Sequence, residues 1–246
     1  MRPGVARALT SIVFLLLAGL VARGDSDAAA APAKLSEAEI VEQMARHNQA
    51  RTEELKHYKS VRHYKVEYRG FSTTIDAGME VEVEYNQATG KSFKIVSQSG
   101  SKFICDKVLK RAVDSEREAG QDKSSTALTP ANYKFHLAGN DTVGGRPAYI
   151  LEVEPVAESK FLYRGKIWVD AADFAVSKIE AEPAKNPSFW ISRTLIRFSS
   201  AKTGRYWLPE KNRSETKVRI GGTAVLTIDY GTYDFGPEGA APAAGR

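Results

Sequence analysis

The side chains of this chain best able to do chemistry are four histidines, one cysteine and a short row of glutamates. His47 and His57 stand ten residues apart, and neither they nor His63 and His136 fall at metal-ligand spacing with cysteine or carboxylate partners. The four therefore read as surface or helix-flank groups, and no metal is expected. Cys105 has no base beside it in sequence, so it reads as a small buried hydrophobe at a strand–helix junction rather than a nucleophile. Glu80, Glu82 and Glu84 alternate along one strand, which puts all three on one solvated face. The GxSxG, HExxH, P-loop and dinucleotide fingerprints are missing. Nothing in this set forms a catalytic constellation, so neither a cofactor nor an enzyme is expected.

Charge and compartment narrow the class further. Arg2 and Arg7 precede the apolar run Ile12–Ala22, whose 11 residues fall short of the roughly 20 that cross a bilayer. This is the pattern of a signal peptide, with small residues at Ala22 and Gly24 for cleavage after Gly24 and a second possible cut in Ala28–Ala31. Residues 1–24 hold Arg2, Arg7 and Arg23 and no acid, so their removal lowers the formal charge from +5 to +2. A charge that small argues against nucleic acid as a partner. No cysteine follows the apolar run to accept a lipid, and a single thiol makes no internal disulfide. The expected product is an exported, monomeric chain whose core alone holds the fold.

The elements that must position any site are legible from period. Residues 25–34 read as a flexible leader. Ser36 and Glu39 form a capping box, flanked by Leu35 and Ile40 at the staple positions, which predicts a helix from Glu37 to about Leu55. After it the period falls from 3.6 to 2. Tyr64, Val66 and Tyr68 alternate with Lys65, Glu67 and Arg69, and Met79, Val81, Val83 and Tyr85 alternate with the glutamates. If these strands are neighbours, Lys65 and Arg69 are placed to face the glutamates. Residues 91–98 predict a third strand. Val108, Leu109, Ala112 and Val113 predict a second helix over 105–118, and the polar stretch 118–129 a loop. From Tyr133 to Phe235 strands return, punctuated at Asn140-Asp141 and Gly144-Gly145, for about ten strands in all. Residues 35–235 form one domain and 236–246 a disordered tail. A long antiparallel meander leaves one broad apolar face to cover. The fold class is mainly β with two helices (α+β), a strongly curved antiparallel sheet or incomplete β-barrel enclosing its helices; a closed barrel with outside helices is the competitor.

Three stretches carry a family likeness: Gly145-Arg146-Pro147-Ala148-Tyr149 running to Pro155, Ile167-Trp168-Val169-Asp170, and Val176-Ser177-Lys178-Ile179-Glu180. Their order resembles the LolA/LolB-like outer-membrane lipoprotein-sorting carriers, relatives in fold of the regulator RseB. The resemblance implies a half-barrel with helices over an apolar cavity. It implies acyl chains of lipoproteins or lipids as the ligand, and membrane proteins of a sorting system as further partners. The alternative it leaves open is an RseB-like regulatory module that senses lipidated or misfolded partners. Tyr64, Val66, Tyr68, Met79, Val81, Val83, Tyr85 and Trp168 are the candidate apolar wall; patterning alone favours an ordinary filled core, and the resemblance is what raises the cavity reading. Phe189 and Trp190, after Asn186-Pro187-Ser188, are candidates for a lid or partner contact, or for a buried strand start. The basic row Lys211, Arg213, Lys217 and Arg219 reads as edge protection or as a surface for anionic groups. An arginine is expected to control release in such carriers, and no arginine here is marked for that role by sequence.

Overall fold

The computed structural model describes residues 34–121, 123–186, 189, 191–219 and 221–236. The expected signal peptide, nearly all of the leader and tail, and Trp190 lie outside the described residues. The chain opens with α1 (Glu37–Glu54), and the expected capping box is formed: the Ser36 side chain accepts from the Glu39 N–H, and the Glu39 carboxylate accepts from the Ser36 N–H. Three strands follow, β1 (His57–Arg69), β2 (Thr74–Asn86) and β3 (Gly90–Gly100). The second helical stretch starts earlier and ends later than its apolar spacing suggests. It runs as α2 (Lys102–Ile104), a π-helical turn (Cys105–Leu109) and α3 (Lys110–Gln121), followed by a short α4 (Lys123–Thr126). The polar stretch expected to be a loop from 118 is thus helical for most of its length, because its polar residues face water while Leu109 and Val113 hold the helix to the sheet. Seven strands complete the chain: β4 (Tyr133–Val143), β5 (Arg146–Pro155), β6 (Tyr163–Asp170), β7 (Val176–Pro183), β8 (Ile191–Thr203), β9 (Tyr206–Val218) and β10 (Thr223–Asp234). Gly144-Gly145 makes the expected turn, but Asn140-Asp141 lies within β4, paired with Tyr149 and Ala148.

All ten strands join one antiparallel sheet in the order β3-β2-β1-β10-β9-β8-β7-β6-β5-β4. β3 and β4 are its edges, so the sheet does not close, and the incomplete barrel holds over the closed competitor. Register aligns one row straight across the inner face: Met79, Tyr64, Ile228, Asn212, Phe198, Ile179, Ile167 and Leu151. The row is apolar except at Asn212 on β9. On β9 the inner neighbours of Asn212, Ser214 and Thr216, are polar too, because side chains two apart share a face. This polar seam divides the core into two clusters. In one, Ile104, Leu109 and Val113 pack on Tyr64, Val66, Met79, Val81 and Val83 of β1 and β2 and on Ile228 of β10. In the other, Ile40, Val41 and Met44 of α1 pack on Tyr133, Tyr149, Leu151, Ile167 and Val169.

The family-like motifs do structural work. Arg146 donates two hydrogen bonds to the Asp170 carboxylate, at 2.6 and 2.9 Å, and a third to Asp173 at 2.9 Å. Asp170, 1% exposed, also accepts from the N–H groups of Ala172 and Asp173. The arginine of one motif and the aspartate of the next therefore tie the β4–β5 turn to the β6–β7 turn. Gly165, between them, has φ +149°, and a Cβ there would come within 2.3 Å of the Glu180 carbonyl oxygen. Glycine is required at that position for both reasons.

Candidate functional site

α1 covers β4–β7 and the α2–α3 segment covers β1, β2 and β10, and neither seals the sheet at β8 and β9. A cavity of about 510 Å³ remains there. It is lined by Met44 and Asn48 of α1, by residues 126–129, and by Tyr163, Val176, Phe198, Trp207 and Pro209 of the sheet. The walls are mostly apolar. The polar groups at its edge are largely engaged: Arg51 donates to the carbonyl oxygens of Asp173 and Phe174 at 2.8 and 3.2 Å, and the Trp207 indole N–H to Asp173 at 3.0 Å. Asp173 also accepts from Lys202 at 2.8 Å; burial opposes its charge, yet these bonds and the cations around it hold its carboxyl below the usual range. Burial pushes the Tyr133 hydroxyl up to about 12 and raises that of Tyr163 as well, so both remain neutral. The chemistry on offer is apolar enclosure with a fixed polar margin, and the volume lies within the ~300–1,000 Å³ typical of small-ligand sites.

The wall expected from sequence sits beside this cavity rather than around it. Tyr64, Val66, Met79, Val81, Val83 and Tyr85 are buried, and the α2–α3 segment occupies the space over them. Tyr68 is half-buried at the end of β1, where its hydroxyl donates to the Gly221 carbonyl at 3.1 Å. Trp168 does not share the inner face. Ile167 and Val169 point inward, so alternation turns Trp168 outward, where its indole N–H donates to Asp141 at 2.8 Å and Lys178 stands 4.1 Å from the ring centroid. Phe189 is 77% exposed, with Arg219 5.2 Å from its ring.

Sequence reasoning missed Arg62. A charged residue on a half-buried strand is expected to face water, yet this side chain is fully buried. One guanidinium nitrogen donates to Glu116 of α3 at 2.5 Å, and Lys91 donates to the same carboxylate at 2.8 Å. Tyr230 stacks 4.6 Å from the guanidinium carbon. Nε and Nη2 of Arg62 and the hydroxyls of Ser60 and Tyr64 have no hydrogen-bond partner among the described residues. Burial is the largest influence and works against the Arg62 charge, and Glu116 together with Tyr230, Tyr64 and Tyr58 more than restores it, so the net shift is upward. For Glu116 burial acts against ionisation, but Lys91 and Arg62 together hold the carboxyl below its usual value. The one sequence signal was parity: Arg62 falls in step with Tyr58, Tyr64 and Val66, on the buried face. Cys105 is buried as expected, its thiol 3.5 Å from the Ser99 carbonyl. His47 packs against Phe174, His57 lies 3.1 Å from Glu84, and His63 and His136 are exposed. Among the described residues no three histidine, cysteine or carboxylate groups gather to hold a metal.

No family model matches this chain, and no curated protein matches it. Among solved structures it is similar to a DUF1329 family protein from Desulfovibrio piger, at 12% identity over 83% of this chain and 94% of that one, with a TM-score of 0.43. It is similar to an outer membrane lipoprotein-sorting protein domain from Vibrio parahaemolyticus, at 12% identity over 84% and 95% of the two chains, with a TM-score of 0.41. A LolA superfamily protein from Nitrosomonas europaea matches at 12% identity over 81% and 93%, with a TM-score of 0.36.

Proposed function

We propose that this protein is a periplasmic carrier that shelters acyl chains, of lipoproteins or of lipids, in the cavity at β8 and β9. The observation that carries the reading is the unfilled apolar space of about 510 Å³ between α1, residues 126–129 and the inner face of the sheet. Each methylene withdrawn from water there gains about 0.8 kcal/mol. The β1–β2 wall from Tyr64 to Tyr85 joins the site when the α2–α3 segment lifts, exposing a further apolar strip to a longer chain. The Arg62–Glu116–Lys91 contact then acts as the fastening of that segment.

Native mass spectrometry after detergent-free purification, with solvent extraction of what travels with the protein, tests this directly. A stoichiometric fatty acid, phospholipid or lipopeptide is the expected result. Phe198→Glu, inside the cavity, is expected to lower uptake of a fluorescent fatty acid at least about tenfold, because a buried unpaired carboxylate is costly. An empty protein that takes up no probe, but co-purifies with a membrane protein's domain, would replace this reading with the regulatory module.

A further inference from the structure

The antiparallel meander sorts its connections to two ends. One end gathers the turns after β1, β5, β7 and β9 and the start of α2, since β3 runs back beside β2 to Gly100. Among the described residues six large apolar side chains stand exposed, and four of them, Phe71, Phe103, Val156 and Phe189, belong to this end. Phe71 is 94% exposed and Phe103 68%. They converge. Phe71 lies over Gly221, so close that a Cβ on Gly221 would come within 2.1 Å of the ring. Arg219, two residues earlier in the same turn, covers the ring of Phe189. Phe103 follows Ser101, whose N–H donates to the Asp76 carbonyl at the top of β2, beside the Phe71 turn.

Around Phe71 and Phe189 the charge is one-sided. The segments Arg69–Thr74, 184–190 and Lys217–Thr223 contain Arg69, Lys185, Lys217 and Arg219 and no acid. The opposite end has no exposed large apolar side chain among the described residues, and its charges are mixed, with Arg146 and Lys202 paired to Asp170 and Asp173 and Arg205 paired to Glu54. Exposed phenylalanines ringed by cations suit a surface that is apolar beneath and anionic on top, which is the chemistry of an acidic lipid bilayer. A folded protein partner would need a broad contact of matched shape, whereas separate protruding rings on independent turns can each enter a fluid layer alone.

We propose that this end of the sheet docks on anionic membranes, with Phe71, Phe103 and Phe189 entering the acyl boundary and Arg69, Lys217 and Arg219 meeting the headgroups. The inference is independent of the cavity reading, because none of these residues lines the cavity. Phe71→Trp in the full chain adds an indole at this end to the native Trp168, Trp190 and Trp207, and the difference in emission from the parent reports the contact. With vesicles of phosphatidylcholine containing a third phosphatidylglycerol, its emission is expected to shift to the blue and to be quenched by brominated acyl chains. With phosphatidylcholine alone both effects should fall about tenfold in apparent affinity, as expected for surface cations facing a neutral layer. Arg69→Glu with Arg219→Glu should remove the dependence on phosphatidylglycerol, and Phe103→Ser with Phe189→Ser should weaken binding. Uptake of a fluorescent fatty acid and the thermal unfolding curve should stay as in the parent, separating failure to dock from failure to fold or to bind cargo. Indole emission of the Phe71→Trp variant unmoved by either vesicle would overturn the proposal, and so would docking unaffected by the arginine and phenylalanine changes. Emission that responds only to a purified protein partner would overturn it in favour of a protein interface.

Discussion

Charge placement at single residues departs most from the sequence pattern. Lys65 and Arg69 do not face the glutamates of β2; they pair with Gly78 and Thr74, and the strand register instead brings Lys59 and His57 to Glu84. Lys65 turns to Glu67 on its own strand at 2.9 Å. A one-residue change of register moves every partner, and no alternation pattern specifies it. Asp170 is the reverse case, a charge that belongs inside. It is nearly fully buried and accepts two bonds from Arg146 and two from backbone N–H groups. Asp170→Asn is expected to lower stability by about 3 kcal/mol, because it leaves an arginine and donors facing an amide. Urea unfolding measures it, and a loss under about 1 kcal/mol would show the turn held by other contacts. Gly165→Ala is expected to cost at least about 2 kcal/mol through its positive φ and the Glu180 carbonyl in its path.

At the scale of elements, the two helices differ in how they are held. α1 is capped by Ser36 and seats Ile40, Val41 and Met44 in the core. Ser36→Ala should cost about 1 kcal/mol, read by thermal unfolding, and should leave the sheet intact. The α2–α3 segment is seated by Ile104, Leu109 and Val113 but fastened by Glu116 to Arg62 and Lys91. Glu116 has a lowered folded-state pKa, so its contribution is complete above its unfolded value of 4.5 and is lost as pH falls through the folded value below that. The protection of amides within residues 102–121, taken relative to the intrinsic exchange rate at each pH, should therefore fall below about pH 4.5, ahead of the central strands. In Glu116→Gln that acid step should vanish, with exchange already fast at neutral pH. Exchange that is uniform along the chain at every pH would show that the segment does not open on its own. The π-helical turn at Cys105–Leu109 sits at the base of this segment, where Cys105 and Leu109 are both buried.

For the whole molecule, an open sheet with two covers and a gap between them explains why the inner space lies at β8 and β9. Phe198→Ala should enlarge that space at modest cost in stability, since the side chain already borders a void. Val83→Glu, beneath the α2–α3 segment, should instead destabilise the fold by several kcal/mol by burying a carboxylate in a filled cluster. If Val83→Glu loses the fatty-acid probe but keeps the parent's stability, the β1–β2 wall belongs to the resting site as well. The sequence by itself determined the elements: period 3.6 with a capping box for α1, period 2 for the strands, and apolar inner positions on β1 and β2 that are buried as read. These follow from local chemistry, because a capping box closes within four residues and alternation is a property of one strand. Which apolar faces meet each other was beyond it. The burial of Arg62, the outward turn of Trp168, the polar seam of β9 and the gathering of exposed phenylalanines at one end all depend on residues far apart in the chain. Register and cover across ten strands are set by the packing of the whole sheet, and only the tertiary structure decides them.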